Sequence, residues 1–224
     1  MVYDANAIGG TVTSRVAEQL RKDIYSKKIE AGTHISIQEI ADKYGISKTP
    51  VREAFRTLEG EKLLEFSAHR GATVIGVDKT YISEIYEIIL ILESYLTESA
   101  LPFMDEEALK SLRQTNDMIR EISEGKRPYE QFSELNWQFH QVIMSKGSNS
   151  AAHDLHDTYS RQIKALRNNY QPNPTRVSSI VKEHDDIIKA FEEKNPTALQ
   201  AGASKHASSA KANFLEQYET ENAR

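Results

Sequence analysis

Residues 37–64 read IQEIADKYGISKTPVREAFRTLEGEKLL, and this stretch decides the fold of the first part of the chain. Ile37, Ile40 and Tyr44 recur at helical spacing, which predicts a short helix with one buried face. Gly45 then breaks the pattern, as a residue free to take positive φ does at a helix C-terminus. A second apolar series at helical spacing follows: Val51, Ala54, Phe55 and Leu58. The pattern predicts two short helices joined by a tight turn.

Three positions are expected to set the angle between these helices. Ala41 is small enough for close approach, Gly45 makes the turn, and Val51 fills the angle. Ser47 or Thr49 can cap the second helix, and Pro50 is tolerated in its first turn because no N–H partner is lost there. This spacing is typical of a helix-turn-helix.

The polar face of the second helix predicts contact with DNA. Lys48, Thr49, Arg52 and Arg56 lie near its start or at four-residue spacing, so they can project together. A recognition helix in the major groove offers such a face, with arginine facing guanine edges and phosphates. A merely solvated charged face is the alternative for Arg52 and Arg56 alone. The turn spacing and the segment that follows favour DNA.

Residues 63–77, LLEFSAHRGATVIGV, predict strands at 63–66 and 73–77 joined by a loop at 68–71, which completes a winged helix-turn-helix. Here ISKTPVREAFRTLEGEKLLE and HRGATV resemble the GntR family of bacterial transcription regulators. The resemblance implies that the DNA-contacting residues are Ser47, Lys48, Thr49 and Arg52 in the recognition helix and Arg70 and Gly71 at the wing tip, with His69 beside them. Gln38 stands where relatives often carry arginine, which implies a weaker phosphate contact.

The composition is that of a globular protein. With 224 residues, one or two domains are expected. The longest apolar run covers residues 88–92, so no membrane span or membrane partner is expected. The absence of cysteine excludes disulfides and thiolate metal sites. Residues 1–14 lack the basic and apolar regions of a secretory signal, so we expect a cytoplasmic location.

The net charge of −5 is divided unevenly along the chain. Residues 1–77 carry 11 Lys and Arg against 10 Asp and Glu, whereas residues 78–224 carry 17 against 23. The first part therefore has a balance of only +1 (11 − 10), and the second part −6 (17 − 23). DNA binding has to rely on a local basic patch rather than on bulk charge.

The chain is expected to form a flexible tail at 1–11, a winged helix-turn-helix domain at 12–77 and an all-helical domain at 78–224. A helix from Thr11 or Thr13 to about Lys28 is expected to pack on the helix-turn-helix, and residues 34–36 to form a small strand. Proline and glycine breaks divide the rest into six helices, at 79–101, 105–124, 128–146, 151–169, 175–193 and 196–219. The predicted fold class is mainly α, with a six-helix bundle as the second domain.

Three histidines and an asparagine predict a metal site in the helical part. Asn136 and His140 are four residues apart, on one helix face. His184 lies 11 residues before the turn at Asn195 and His206 lies 11 after it, so an antiparallel helix pair holds both at one level. Three imidazoles and one amide oxygen suit Zn²⁺, Ni²⁺ or a similar divalent ion. Isolated core or surface histidines are the alternative.

His153 and His156 form a rival pair, with Asp157 adjacent. They have no matched partner elsewhere in the sequence. We interpret them as part of a solvated helix face.

Three segments of the second half, ELNWQFHQVIMSKGSN, EHDDIIKAFEEKN and KHASSA, are similar to the effector domain of the FadR-type branch of the GntR family, in its shorter VanR-like variety. In that domain an aspartate, a histidine four residues later and two further histidines hold a divalent metal. The resemblance carries this set to Asn136, His140, His184 and His206. A neutral asparagine in place of aspartate is expected to weaken metal binding and to leave the site more positive.

The resemblance also implies a small carboxylate as effector, since a cation with open positions orients and polarises an anion. Arg161 could supply a second positive charge to this effector, with a surface role as the alternative. Ile89 stands where relatives often carry arginine. This departure favours a ligand smaller or less acidic than a dicarboxylate.

These observations predict a ligand-responsive transcription factor, with repression as the commoner mode of the family. A homodimer would place two recognition helices on a palindromic double-stranded operator, and the ligand would change their relative placement. One alternative is a dimer with a metal-free pocket for a neutral ligand, and another is an architectural DNA binder whose bundle only dimerises. A metal-dependent hydrolase is disfavoured: there is no HExxH motif, and Glu183 and Asp185 flank His184 on other faces of its helix.

Overall fold

The computed structural model describes residues 11–67, 71–167 and 174–222. The chain divides into two compact units, residues 1–78 and 79–224. Residues 1–10 of the predicted tail and residues 68–70 of the predicted wing loop lie outside the described residues.

Three helices form most of the first unit, and local signals fix their ends. They are α1 (Val12–Tyr25), α2 (Ile37–Tyr44) and α3 (Lys48–Gly60). Thr11 caps α1 by accepting the N–H of Ser14, and Ser36 caps α2 in a capping box with Glu39. Gly45 ends α2 with φ of 63°, which confirms the turn expected there.

Three short strands complete the winged unit. They are β1 (His34–Ile35), β2 (Leu64–Ser67) and β3 (Gly71–Val74), in the antiparallel order β1–β3–β2. The register pairs Leu64 with Val74 and His34 with Thr73. β3 ends at Val74 rather than at residue 77, because Gly76 has φ of 83° and leaves the extended conformation.

The core of this unit lies between α1 and α3, as the apolar stripes predict. Its central side chains are fully buried: Val16, Leu20, Val51, Ala54, Phe55 and Leu58. Arg21 on α1 forms a two-pronged ion pair with Glu61 just after α3, at 2.8 and 2.6 Å. These contacts hold α3 by its apolar face and its end, so its polar face is free for solvent or DNA.

The second unit is an all-helical bundle, which confirms the predicted fold class. Among the described residues its long helices are α4 (Lys79–Ala100), α5 (Glu106–Ser123), α6 (Phe132–Met144), α7 (Ser150–Arg167), α8 (Pro174–Glu192) and α9 (Pro196–Asn222). Two short 3-10 helices, Leu101–Phe103 and Tyr129–Gln131, precede α5 and α6. None of the described helices is long and apolar enough to cross a membrane.

The six long helices of the bundle pack in pairs. α4 packs against α9 and α7, α5 packs against α6 and α8, and α8 packs antiparallel to α9. The turn between α8 and α9 is fixed by Asn195, whose side chain accepts the N–H of Ala198. Because α8 and α9 run back along each other from this turn, residues equally far from it lie side by side.

Candidate metal centre and DNA-binding surface

Three histidines from three helices come together inside the bundle. They are His140 on α6, His184 on α8 and His206 on α9, and one ring nitrogen of each lies within 4.8 Å of the others. The Nε2 atoms of His140 and His206 are 3.2 Å apart. The rings of His184 and His206 lie 4.9 Å apart, centroid to centroid. The grouping is that of a possible metal centre.

His184 is held so that its Nε2 atom remains free. The ring is fully buried and stacks on Phe139, with centroids 3.7 Å apart. Its Nδ1 lies 3.2 Å from Oδ1 of Asn116, whose amide group donates to the Val181 carbonyl and to Asp185. Since the amide nitrogen is already donating, Nδ1–H of the histidine donates to the amide oxygen. Nε2 therefore carries a lone pair, and it has no hydrogen-bond partner among the described residues.

His206 is oriented by a carboxylate. Its Nδ1 lies 2.7 Å from Oε2 of Glu183. The same carboxylate accepts two hydrogen bonds from Arg176, one on Oε1 at 2.6 Å and one on Oε2 at 2.8 Å. Burial raises the pKa of Glu183, but His206 and Arg176 outweigh burial and lower that pKa to about 2. The ionised carboxylate holds the proton of His206 on Nδ1, so Nε2 points toward His140 as a lone pair.

His140 completes the group in a neutral state. Burial lowers its pKa to about 4, although Glu93 acts in the opposite direction. Burial also lowers the pKa of His184. Both rings are therefore neutral near pH 7, which is the form that binds a metal ion.

The residues present fit a divalent cation. A separation of 3.2 Å between two imidazole nitrogens is close to the roughly 3.3 Å expected for ligands bound at about 2.0–2.1 Å to tetrahedral zinc. Asn136, one turn before His140, has a buried Oδ1 atom without a hydrogen-bond partner among the described residues. Buried polar atoms without partners are costly, and a cation would satisfy such an atom.

A cavity of about 120 Å³ adjoins this centre. His140, His206 and Asn136 belong to its wall. The other polar wall residues are Tyr86, Glu93, Ser133, Gln141, His156, Ser160, Lys164 and Arg167, and the larger apolar ones include Ile89, Phe132, Trp137, Ile163 and Ile180. Cavities of roughly this volume hold molecules the size of benzene, so this one suits a small ligand.

Arg161 lies outside this wall, which supports the surface role given for it above as the alternative to effector binding. Its side chain is 67% exposed and forms an ion pair with Asp157 on the next turn of α7. Arg167 lines the cavity instead, since it shares a face of α7 with Ser160 and Ile163 at three- and four-residue spacing. Its guanidinium donates to the Ala210 carbonyl, so the cation is fixed in place.

The interpretation of His156 as part of a solvated helix face was wrong. Its side chain is buried, and Nε2 lies 3.3 Å from Oε1 of Glu93 and 3.3 Å from Oγ of Ser160. α7 packs against α4, and this contact turns His156 toward Glu93. His153, three residues earlier, is partly exposed. The sequence signal that could have identified this site is the single acidic residue on the buried face of α4.

The predicted DNA-contacting side chains of α3 share one accessible face. Ser47, Lys48, Thr49 and Arg56 are exposed, and Arg52 is half-buried with an Nε atom that has no hydrogen-bond partner among the described residues. Ser47 precedes α3 and makes no capping hydrogen bond. Gln38 is exposed on α2, where it donates to Asp42. The helix therefore presents basic and hydroxyl groups together.

Of the predicted wing contacts, Gly71 lies among the described residues. His69 and Arg70 lie outside the described residues. Gly71 begins β3 with φ of 95°, and a Cβ there would lie 2.4 Å from the carbonyl oxygen of Ile35. The fold itself therefore requires glycine at position 71.

A winged helix-turn-helix followed by a helical domain with a ligand-sized cavity is consistent with a transcription regulator that responds to a ligand. Comparison with known families agrees. Residues 12–74 match the family described as bacterial regulatory proteins, gntR family, and residues 84–209 match the FCD domain. The chain belongs to the GntR family and carries an FCD domain as its helical part. This assignment confirms the resemblance seen in the sequence and identifies a regulator rather than an enzyme.

Individual relatives agree with the family. The gluconate operon transcriptional repressor of Bacillus subtilis (strain 168) is 34% identical over 145 residues, which is 64% of this chain and 59% of the repressor. The uncharacterized HTH-type transcriptional regulator YdhC of the same strain is 28% identical over 183 residues, 81% of each chain. The solved structure of E. coli McbR/YncC has a TM-score of 0.67 at 21% identity, covering 94% of this chain and 100% of that one. At this level of identity, the likeness shows a shared fold and no more.

Proposed function

We propose that the protein is a transcriptional repressor whose affinity for a palindromic operator is controlled by a small carboxylate bound at a divalent-metal site in the helical domain. One observation carries the proposal: His140, His184 and His206 converge beside a cavity, in a chain that also contains a winged helix-turn-helix. Relatives named as repressors support repression rather than activation.

Different residues would bind the metal ion and the acid. Asn136, His140, His184 and His206 would hold a divalent ion such as Zn²⁺ or Ni²⁺. When bound, the ion would attract and orient a carboxylate. Arg167 adds a fixed positive charge to the same wall, and Ile89 adds none. A small acid with one carboxylate fits this distribution of charge better than a dicarboxylate.

The positions of the three histidines support control of operator affinity by a bound effector. The three histidines lie on three different helices, so a ligand drawn to them would bias how α6, α8 and α9 pack. A ligand shifts an equilibrium only as far as it prefers one arrangement over the other. We propose that this preference is transmitted to the operator affinity of the winged units.

An exposed apolar stripe supports a homodimer. Ile88, Ile91 and Tyr95 follow one another at helical spacing on α4 and are 37%, 65% and 47% exposed. Leu155 on the neighbouring α7 is also exposed. We propose that a second copy covers this stripe, which we call the α4 stripe, so that two recognition helices meet two operator half-sites. Because the target is chromosomal DNA, we place the protein in the cytoplasm.

Operator binding is tested with a duplex selected from a random pool by the wild-type protein. Loss of Arg52 and Arg56 together is expected to weaken binding by more than tenfold, since each specific arginine contact is worth roughly 1–3 kcal/mol. Arg161→Ala is the matched control, because this exposed arginine lies in the helical domain. Equal affinity of the double variant and the wild type would contradict the DNA-binding role of α3.

Effector control is tested by titrating the protein–operator complex with acids, with and without Zn²⁺. Gluconate belongs in the panel because one relative is named for the gluconate operon. We expect a monocarboxylate to release the operator, more strongly when metal is present. Release by neutral ligands in metal-free protein would favour the metal-free pocket. No effect of any metabolite would favour an architectural DNA binder.

A further inference from the structure

Glu93 is buried where three helices meet at the cavity. It lies on α4, and its Oε1 atom is 3.3 Å from Nε2 of His156 on α7 and 3.5 Å from Nδ1 of His140 on α6. Within the described parts of the chain, no lysine or arginine forms an ion pair with it. A buried carboxylate without a cationic partner is strongly destabilising. Among the described residues, the basic groups at ion-pair distance from this carboxylate are therefore two imidazole rings.

Each histidine of the group has one oxygen acceptor facing its Nδ1 atom. Asn116 serves His184, and Glu183 serves His206. Glu93 occupies the equivalent position at His140. The charge of Glu183 is matched by Arg176, and Asn116 is neutral. Glu93 is thus the one charged acceptor of the three that has no lysine or arginine partner among the described residues.

The atoms available to bind the metal bring no negative charge. Three neutral imidazoles and the amide of Asn136 would leave the full charge of a divalent cation inside a buried site. A carboxylate behind a metal-binding histidine fixes the ring, raises its basicity and offsets the charge of the ion. Glu93 lies on the side of His140 opposite to Nε2, as this role requires.

We propose that Glu93 is the anionic positioning residue of the metal centre. It accepts the Nδ1–H of His140, holds Nε2 of that ring toward the other two histidines, and offsets the charge of the ion through the ring. Nε2 of His156 contacts the carboxylate from another helix, and Ser160 in turn contacts that same nitrogen. This inference rests on the metal site of the proposed function.

The test is the dissociation constant for Zn²⁺, measured by competition with a chromophoric chelator. Glu93→Gln keeps the size of the side chain and removes its charge, and we expect about 10–100-fold weaker binding. Glu87→Gln is the matched control: it is on the same helix, exposed, and paired with Lys211. The control is expected to bind Zn²⁺ as the wild type does.

A second variant separates charge from packing. Asn136→Asp in the Glu93→Gln background restores a negative charge at the site, and we expect Zn²⁺ affinity to return to within a few-fold of wild type. The visible spectrum of the Co²⁺ form is expected to change in Glu93→Gln and not in Glu87→Gln. Wild-type affinity in Glu93→Gln, or no rescue in the double variant, would overturn the proposal. If the wild-type protein itself bound no metal, the proposed metal site would fail first.

Discussion

The Nε2 atoms of His140 and His206 face each other across 3.2 Å. His206 keeps its proton on Nδ1 because it donates to Glu183, so its Nε2 accepts. Without a cation, His140 has to donate through Nε2, and its Nδ1 lone pair then faces Glu93 at 3.5 Å. If Nε2 of His140 were to hold a cation, the proton of His140 would belong on Nδ1, where Glu93 would accept it. Binding of a metal at the proposed site would therefore be coupled to the tautomer of one histidine.

This coupling predicts a change visible by ¹⁵N NMR of the imidazoles. In metal-free protein at pH 7.5 we expect His140 as the Nε2–H tautomer and His206 as the Nδ1–H tautomer. Addition of Zn²⁺ is expected to convert His140 to the Nδ1–H form and to leave the tautomer of His206 unchanged. An Nδ1–H tautomer of His140 before metal is added would contradict this account.

Metal binding itself predicts a stability difference between two histidine variants. Wild-type protein purified without chelator is expected to hold about one metal ion per chain and to unfold at a higher temperature than chelator-treated protein. Free metal at 100 times its dissociation constant adds about 2.7 kcal/mol of stability. His184→Ala is expected to lose both the metal and this increment, whereas His153→Ala, a partly exposed histidine outside the group, retains them. Metal retained in His184→Ala would rule out this site.

The stability of metal-free protein is expected to fall on acidification below pH 6.5. Burial lowers the pKa of His140 to about 4, while an unfolded histidine titrates near 6.5, so in this window the unfolded chain binds a proton that the folded chain does not. The free energy of unfolding then falls by roughly 1.4 kcal/mol per pH unit for each such histidine. The lowered pKa of His184 acts in the same direction.

Urea denaturation at pH 7.5, 6 and 5 measures this dependence. His140→Gln is expected to flatten it, and His153→Ala is expected to reproduce the wild-type curve. A free energy of unfolding that stays constant between pH 7.5 and 5 would contradict the buried neutral state of His140.

Gly71 is expected to be needed for folding of the winged unit whatever its role toward DNA. Gly71→Ala places a methyl group 2.4 Å from the Ile35 carbonyl oxygen at φ of 95°, which is expected to cost about 1–3 kcal/mol or more. Gly60→Ala is the control, since no atom lies within 4 Å of the added methyl group. Chemical denaturation followed by circular dichroism compares the two variants. Equal stability of both would refute the structural role of Gly71.

The α4 stripe predicts the effect of a charge at its most exposed position. Ile91→Glu is expected to convert a dimer to a monomer in analytical ultracentrifugation, because burying a carboxylate between two apolar faces is costly. Glu87→Gln, on the same helix, is expected to remain dimeric. A dimeric Ile91→Glu protein would place the interface elsewhere.

Local sequence signals predicted much of the fold. The apolar spacing of 37–58, the glycine at position 45 and the cap at Thr11 act within one or two turns of the chain. Such features depend on neighbours in sequence, so the helix-turn-helix and most helix ends can be read from the residues. Strand ends were less accurate, since β3 is limited by pairing with Ile35 and by the conformation of Gly76.

The convergence of His184 and His206 was also accessible from sequence, because two antiparallel helices joined at Asn195 place equidistant residues together. The residues that face those histidines could not be predicted from the sequence. Glu93, Asn116 and Arg167 come from helices far along the chain, and nothing local indicates that they share a site.

The sequence by itself determined the helix-turn-helix and the two-part organisation, because periodicity and turn chemistry are local properties, and it pointed to the three histidines that converge. Only the tertiary structure decided which polar side chains of the bundle are buried. The rotation of α7 against α4 buries His156 and turns Arg161 to solvent, although both lie on one helix. That rotation is fixed by side-chain packing between distant segments, and packing of this kind is a property of the assembled bundle alone.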